Sequence, residues 1–344
     1  MGPAVEPVET KGLQCEDTVF LPTIPGLGSL YAQGVAGAAR GKLGLNPPAT
    51  GTVVELPHVV YQASGVQTDD LAAQLREYQY LVHEAPSDVM PSGYLHILAF
   101  PLAMAVMVRP DFPLPLLGLV HLANDASLYV PVAIGDVLTV RAWAENLRAH
   151  PKGTQVDLVA EILVENPDEV GEPVLAWHGV STYLAKGVNL SAVEPVETPG
   201  TCPLVPAGST AGPKWTPPYP TGQWDLPGNL GREYGAISGD RNPIHMSALT
   251  AKAFGFPRAI AHGMYTAARA LAEVGPGRGD TYRWTVDFAK PVLLPSKVSV
   301  AITPMLDDNL VPRSVSGTSG AGYSYQGWNP KKQQRHFSGT ITPL

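Results

Sequence analysis

A chain of 344 residues is longer than one hydrophobic core usually supports, so two domains, or one large one, are expected. Hydrophobic residues make up 44% and charged residues 15%, which excludes a disordered chain. With 23 Lys and Arg against 30 Asp and Glu, the net charge of −7 excludes general attraction to nucleic acid or anionic lipid.

Residues 1–50 are rich in Gly, Pro and Ala with weak periodicity and read as an irregular N-terminal arm. They show no basic region followed by an apolar run, so no signal peptide is expected. Cys15 and Cys202 are far apart and outside any C-x-x-C spacing, which argues against a disulfide framework or a zinc ribbon and for reduced thiols in the cytoplasm. Residues 51–188 read as a first domain. In it Gly93 leads into Leu95, Leu98, Ala99, Leu102 and Val106 at helical spacing, and Leu119 to Tyr129 and Asp136 to Ala144 read as strands. The apolar run from Tyr94 to Val108 holds His96 and Pro101 and is too short to span a bilayer, so it reads as a buried core helix.

Residues 189–225 form a linker carrying Pro195, Pro199, Pro203, Pro206, Pro213, Pro217, Pro218 and Pro220. The segment AVEPVET occurs at 4–10 and again at 192–198, and we have no physical account of the repeat. Residues 226–344 form a second domain, with a helix through Gly263, Met264, Ala267, Ala268, Leu271 and Val274. Strands follow at Tyr282 to Ala289 and Lys297 to Pro304. Pro131 and Val132 precede Ile134, Gly135 and Asp136, just as Pro291 and Val292 precede Leu294, Pro295 and Ser296. The common order implies a duplicated α+β unit, each copy a curved antiparallel sheet wrapped around one apolar helix.

The densest polar cluster is YGAISGDRNPIH, from Tyr234 to His245. Gly239 permits a tight turn and Pro243 suits a first helical turn, so Ser238, Asp240, Asn242 and His245 lie on a loop leading into a helix. A carboxylate and an imidazole sharing one water form an acid/base pair, worth about 10² to 10⁴ in rate. Caps and Asx turns explain Asp, Asn and Ser before a helix equally well, but His245 is not a capping residue. Downstream, AHGM from Ala261 to Met264 sets Gly263 at the start of the apolar helix, where a free N–H and the helix dipole favour a developing oxyanion. His262 beside it reads either as part of the site or as a core histidine. Asp240, His245 and His262 also have the composition of a two-histidine, one-carboxylate metal site, although the loop supplies all that a metal-free mechanism needs.

The segment Tyr234 to His245, followed by FGFPRAIAHGM from Phe254 to Met264, resembles the signature of the MaoC-like hydratase/dehydratase family, the (R)-specific enoyl-thioester hydratases. The second half is similar to a complete hot-dog domain of that family, and the first half resembles the degenerate partner of its two-domain members. The resemblance implies an α+β double hot-dog fold and reversible, cofactor-free addition of water to trans-2-enoyl thioesters. It implies Asp240 and His245 as the pair that activates the water, Asn242 as the supporting amide, and Gly263 as the N–H that polarises the thioester carbonyl. Some members carry a serine where this chain has Leu271. The first half lacks the motif, although Asp69, Asp70 and His83 are near its helix, so one active site per chain is expected, with the degenerate half shaping a tunnel for the acyl chain.

A hot-dog thioesterase is the nearest alternative. Many use a carboxylate on the central helix, and between Met264 and Val274 there is only Glu273, at the far end. A non-catalytic acyl-thioester or acyl-carrier binding protein is the other. Gly275, Gly277 and Gly279 read as a turn rather than a nucleotide loop, and the chain has no G-x-S-x-G elbow. Lys331, Lys332 and Arg335, in the run KKQQRH, and Arg258 beside the AHGM loop are candidates for the phosphates of coenzyme A or an acidic acyl-carrier protein. No cofactor, metal, nucleic acid or membrane span is expected, and the chain is expected to be a monomer or homodimer.

Overall fold

The computed structural model describes residues 17–42, 54–116, 118–165, 172–190, 215–305 and 322–344. Both copies of AVEPVET and both cysteines lie outside them. Two helices, α3 (Ser92–Met107) and α7 (Gly263–Val274), fall where the apolar periodicity puts them. All of α3 but Phe100 is buried, which explains why its sequence shows no polar face. Pro101 sits inside it.

The first half builds β2 (Val59–Gln67), α2 (Ala72–Val82), α3, β3 (Leu119–Leu128), β4 (Val137–His150), β5 (Gly153–Glu165) and β6 (Val174–Lys186). The second builds β7 (Gly222–Leu226), α4 (Leu230–Ser238), α5 (Pro243–Met246), α6 (Ala248–Ala253), α7, β8 (Tyr282–Phe288), β9 (Ser296–Pro304), β10 (Tyr323–Asn329) and β11 (Gln334–Pro343). Gly275–Arg278 is a 3₁₀ turn that ends α7, in keeping with a turn rather than a phosphate loop.

Sheet order makes the duplication explicit. One half runs β2-β4-β5-β6-β3 and the other β7-β9-β10-β11-β8, the same path, and β3 pairs antiparallel with β8 to join them into one eleven-stranded sheet. Each half also has the same isolated bridge, Val89 to Ala133 and Ile260 to Leu293, which ties the start of its central helix to the chain between its strands. The sheet therefore wraps two central helices side by side. They touch at Gly93, where an added Cβ would lie 3.2 Å from the Ala268 Cβ. The fold is an α+β double hot-dog, and we read its first unit as ending near 188 and its second as beginning at β7, at Gly222.

Two sequence expectations need correction. The arm is not irregular throughout: β1 (Asp17–Leu21) pairs in parallel with β2, and α1 (Leu27–Lys42) follows it. The helix buries Leu27 and Leu30, so packing rather than intrinsic periodicity holds this Gly- and Ala-rich segment. The linker also ends earlier than 225, because Gly222 to Leu226 pairs with β9 and buries Trp224 and Leu226. Among the described residues no helix is long and apolar enough to cross a membrane.

Candidate active site

The loop between α4 and α5 is shaped by glycine and by caps. Gly239 ends α4 with φ of 74°, in the left-handed region, and so turns the chain towards Asp240. Ser238 Oγ donates to the Tyr234 carbonyl at 2.8 Å and accepts the Asp240 N–H at 3.2 Å, which fixes the turn from below. Asn242 caps α5: its Oδ1 accepts the Ile244 N–H at 3.3 Å, and Pro243 fills the first helical position. The capping explanation thus holds for Asn242. Asp240 makes an Asx turn, its Oδ1 accepting the Asn242 N–H at 3.1 Å, but the same oxygen also accepts from the Tyr31 hydroxyl of α1, a partner that no local turn accounts for.

His245 stands in α5, whose carbonyl edge lies against α4. An added Cβ on Gly231 would sit 2.1 Å from the His245 carbonyl oxygen, so only glycine allows this approach. The Nδ1 of His245 is 2.8 Å from the Ile260 carbonyl. A carbonyl can only accept, so Nδ1 carries the proton and Nε2 presents its lone pair. His262 stacks on His245 with ring centroids 3.6 Å apart, and its Nε2 donates to the Asp240 carbonyl at 3.0 Å. The same Nε2 is 3.5 Å from Asp240 Oδ2. His262 is therefore part of the site rather than an isolated core histidine. Its Nδ1 is buried with no hydrogen-bond partner among the described residues.

Electrostatics follow from burial. Desolvation pushes His262 down to about 3 and His245 below its ordinary value, so both are neutral at pH 7. Burial pushes Asp240 up, but the neighbouring imidazoles, the Tyr31 hydroxyl and the Asn242 N–H outweigh it and hold the carboxyl below the usual range. An ionised carboxylate and a neutral imidazole with a free Nε2 thus stand together, the protonation states an acid/base pair needs. One donor atom from each of Asp240, His245 and His262 can be chosen so that all lie within 4.8 Å of one another, a spacing an ion could bridge. In the observed arrangement His262 Nε2 and His245 Nδ1 are both committed to backbone carbonyls.

Gly263 opens α7 with His262 as its N-cap residue, which leaves its N–H in the first turn with no helical partner. A Cβ there would lie 2.9 Å from two ring carbons of Phe288, so the Phe288 ring covers this backbone. Behind Phe288 stands His121 of β3, 5.2 Å away between centroids and stacked on Tyr183 of β6 at 4.6 Å. His96 of α3 continues the wall, stacked with Phe100. Through Phe288, which lies over Gly263, and His121 beside it, the first half comes up to the start of α7. Burial lowers His96 to about 4 and His121 to about 3. From His96 a narrow cavity of about 10 Å³ runs between α3 and β5/β6, past Ala99, Ala103, Ala160 and Gly179.

These first-half residues and Tyr31 were not foreseen as site residues. His96 gave the one available signal, a polar side chain in an otherwise apolar helix. The basic candidates sit elsewhere in the hydrogen-bond network. Lys331 and Lys332 occupy the β10–β11 turn, where their backbone N–H groups donate to Asn329 Oδ1 at 3.0 and 2.9 Å and their side chains are exposed. Arg335 lies over the Trp215 ring, and Arg258 donates to the Pro295 carbonyl at 3.2 Å. Among the described residues no hydrogen bond or ion pair joins any of the four to Asp240, His245 or His262. Glu273 pairs with Arg269 at 3.3 Å, one turn away on α7.

The family described as "MaoC like domain" matches residues 229–318, which contain the whole Asp240 cluster. The chain is 38% identical over 213 residues to 3-hydroxyacyl-thioester dehydratase X of Mycobacterium tuberculosis, covering 62% of this chain and 69% of the relative. It is 41% identical over 73 residues to 3-hydroxybutyryl-CoA dehydratase of Methylorubrum extorquens, covering 20% of this chain and 46% of that protein. Among solved structures, that of HtdX of Mycobacterium tuberculosis is similar with a TM-score of 0.64 and 30% identity, over 83% of this chain and all of that one. A MaoC-like dehydratase from Phytophthora capsici shares the fold, with a TM-score of 0.57 and 16% identity over 83% of this chain and 94% of that one. Sequence, fold and the Asp240 loop agree, and the chain belongs to the MaoC-like dehydratase family.

Proposed function

We propose that this chain is a hydro-lyase of fatty-acyl metabolism that reversibly hydrates trans-2-enoyl thioesters to (R)-3-hydroxyacyl thioesters. The observation that carries this reading is the pairing of an ionised Asp240 with a neutral His245 whose Nδ1–H is tied to Ile260, leaving Nε2 free. In the hydration direction a water sits between the Asp240 carboxylate and His245 Nε2. The pair takes one proton as the water oxygen bonds to C3. The C2–C3 π electrons move towards the thioester, whose carbonyl oxygen is held by the Gly263 N–H at the positive end of α7. The same proton is then delivered to C2, and the net change is addition of one water. Dehydration is the reverse path, and metabolite levels set the direction.

Supporting this reading, the relatives are named as a 3-hydroxyacyl-thioester dehydratase and a 3-hydroxybutyryl-CoA dehydratase. The thioester is carried by coenzyme A or an acyl-carrier protein, and the apolar helix α3 of the first half is our candidate wall for its acyl chain. With one such loop per chain and its two halves already paired through β3 and β8, the working unit is a monomer or a homodimer.

The test follows loss of the conjugated enoyl-thioester absorbance with short and long trans-2-enoyl-CoA, beside Asp240→Asn and His245→Ala. Hydration that falls by about 10² or more in both variants supports the reading. Release of free thiol makes the protein a thioesterase instead, and inactivity on both coenzyme A and carrier-protein esters makes it a binding protein. A rate retained after dialysis against a chelator supports the acid/base pair, whereas a rate lost and restored by a divalent ion assigns Asp240, His245 and His262 to that ion.

A further inference from the structure

We infer that Tyr31, on the helix of the N-terminal arm, is a positioning residue for Asp240: its hydroxyl fixes the carboxylate's rotation and keeps the acid ionised, so the arm completes the site. The inference rests on the hydratase reading for its kinetic consequences but not for its geometry.

The arm is docked by contacts independent of Tyr31. β1 pairs with β2 over five positions, from Asp17 with Val59 to Leu21 with Ala63. Leu27 is 6% exposed and Leu30 5%, and the Leu27 Cδ1 is 3.1 Å from the position a Cβ would take on Gly239, the residue before Asp240. The first turns of α1 therefore lie directly on the active-site loop. From there the Tyr31 hydroxyl donates to Asp240 Oδ1, which also accepts the Asn242 N–H at 3.1 Å. Two donors from separate elements occupy Oδ1. Oδ2 is thereby turned towards His262, 3.5 Å away, and towards the space where a water would be held. With one backbone donor alone, the carboxylate could rotate and exchange its oxygens.

The charge argument points the same way. The titratable groups acting on Asp240 are Tyr31 of α1, His96 of α3, His121 of β3, Tyr183 of β6, Tyr234 of α4, His245 of α5, and His262 before α7. Burial lowers the four imidazoles and raises the phenols, so all are neutral at pH 7. Among the described residues no lysine or arginine pairs with Asp240. The half-buried carboxylate is held below its usual range by His262 and His245 first and then by the Tyr31 hydroxyl, whose donation makes a charge-assisted bond. Tyr31 remains the donor, because burial and Asp240 itself both push its own ionisation up.

The experiment uses the full chain, Tyr31→Phe and Leu27→Ala, with two readouts. The first is the carboxyl ¹³C titration of labelled Asp240 from about pH 2 upward, which needs no substrate. We expect the intact protein and Leu27→Ala to titrate together below the ordinary carboxyl range, and Tyr31→Phe to titrate about a pH unit or more higher. The second is the pH profile of enoyl-CoA hydration. We expect the acid limb of kcat to move up with the carboxyl in Tyr31→Phe, so that kcat is about tenfold lower at a pH below both titrations and nearly unchanged at pH 8, with KM within twofold. An Asp240 carboxyl that titrates at the same pH in all three proteins, or a Leu27→Ala titration that moves as Tyr31→Phe does, overturns the inference. If the intact protein hydrates no enoyl thioester, the hydratase reading fails while the ¹³C titration still decides the role of Tyr31.

Discussion

Replacing Gly231 by alanine tests the geometry of the site without touching a reacting group. Gly231 lies in α4, one turn before Tyr234, and α5 crosses over it so closely that an added Cβ would sit 2.1 Å from the His245 carbonyl oxygen, 3.0 Å from its carbonyl carbon and 3.3 Å from its Cβ. The obstacle is backbone, which cannot rotate aside. Restoring an ordinary contact of about 3.4 Å to that oxygen requires α5 to retreat by about 1 Å, carrying His245 with it. Displacement of a reacting group by 1 Å costs about 10² in rate. Overpacking costs roughly 1–3 kcal/mol of stability, part of it offset by the roughly 1 kcal/mol that alanine gains over glycine inside a helix. We therefore expect Gly231→Ala to stay folded by circular dichroism and to lose about 10² in kcat/KM on an enoyl thioester. Gly228→Ala, whose Cβ would meet only the Pro295 Cδ at 3.7 Å, serves as the control and should stay within about twofold. A Gly231→Ala protein with unchanged kcat/KM would show that the position of His245 in α5 is not what the reaction depends on.

Three further outcomes follow from the same structure. His96, His262, His245 and His121 are all held below their ordinary value of 6.5 by burial, so the unfolded chain binds protons near pH 6.5 that the folded chain refuses. Stability is then complete above pH 6.5 and falls as pH drops: His96, displaced to about 4, accounts for roughly 3 kcal/mol by pH 4, and urea melts that give equal stability at pH 7 and pH 4.5 would contradict this. Ala99 and Ala103 of α3 line the cavity beside His96, so Ala99→Phe or Ala103→Phe should shorten the longest acyl group accepted, and an unchanged chain-length preference would remove α3 as a wall for the acyl chain. Charge reversal of the exposed Lys331 and Lys332 should raise KM for a coenzyme A ester with kcat unchanged if the β10–β11 turn meets the ligand's phosphates, while an unchanged KM would leave it a solvated turn.

What the sequence disclosed divides along physical lines. The central helices and the strands after them were legible because each is a local pattern repeated twice: α3 and α7 as apolar runs opened by glycine, and β3, β4, β8 and β9 as alternating segments after them. The Asp240 loop was legible for the same reason, since Gly239, Pro243 and His245 fix its geometry within one short segment. Residues brought in from elsewhere left no such trace. Tyr31 is 209 positions from Asp240, in a helix of Gly and Ala whose periodicity is too weak to announce it. His121 sits in β3 and reaches the site only because β3 pairs with β8, which carries Phe288 over Gly263. The nearby acids and histidine singled out for the first half, Asp69, Asp70 and His83, instead flank α2, in a 3₁₀ turn and at a left-handed C-cap.

The same division says why a half without the motif is retained beside one that has it. The Asp240 loop brings one carboxylate and two imidazoles of its own, the arm adds the Tyr31 hydroxyl, and His121 and Tyr183 of the other unit stand behind Phe288. These side chains contribute aromatic surface and no positive charge at neutral pH. The Asp240 side chain keeps 21% of its surface exposed, and with no lysine or arginine paired to it among the described residues it responds strongly to each hydrogen bond it accepts. We read the first unit as part of the wall behind Phe288, and substitution of His121 or Tyr183 should alter the protonation of Asp240 without touching it, which the same ¹³C titration checks.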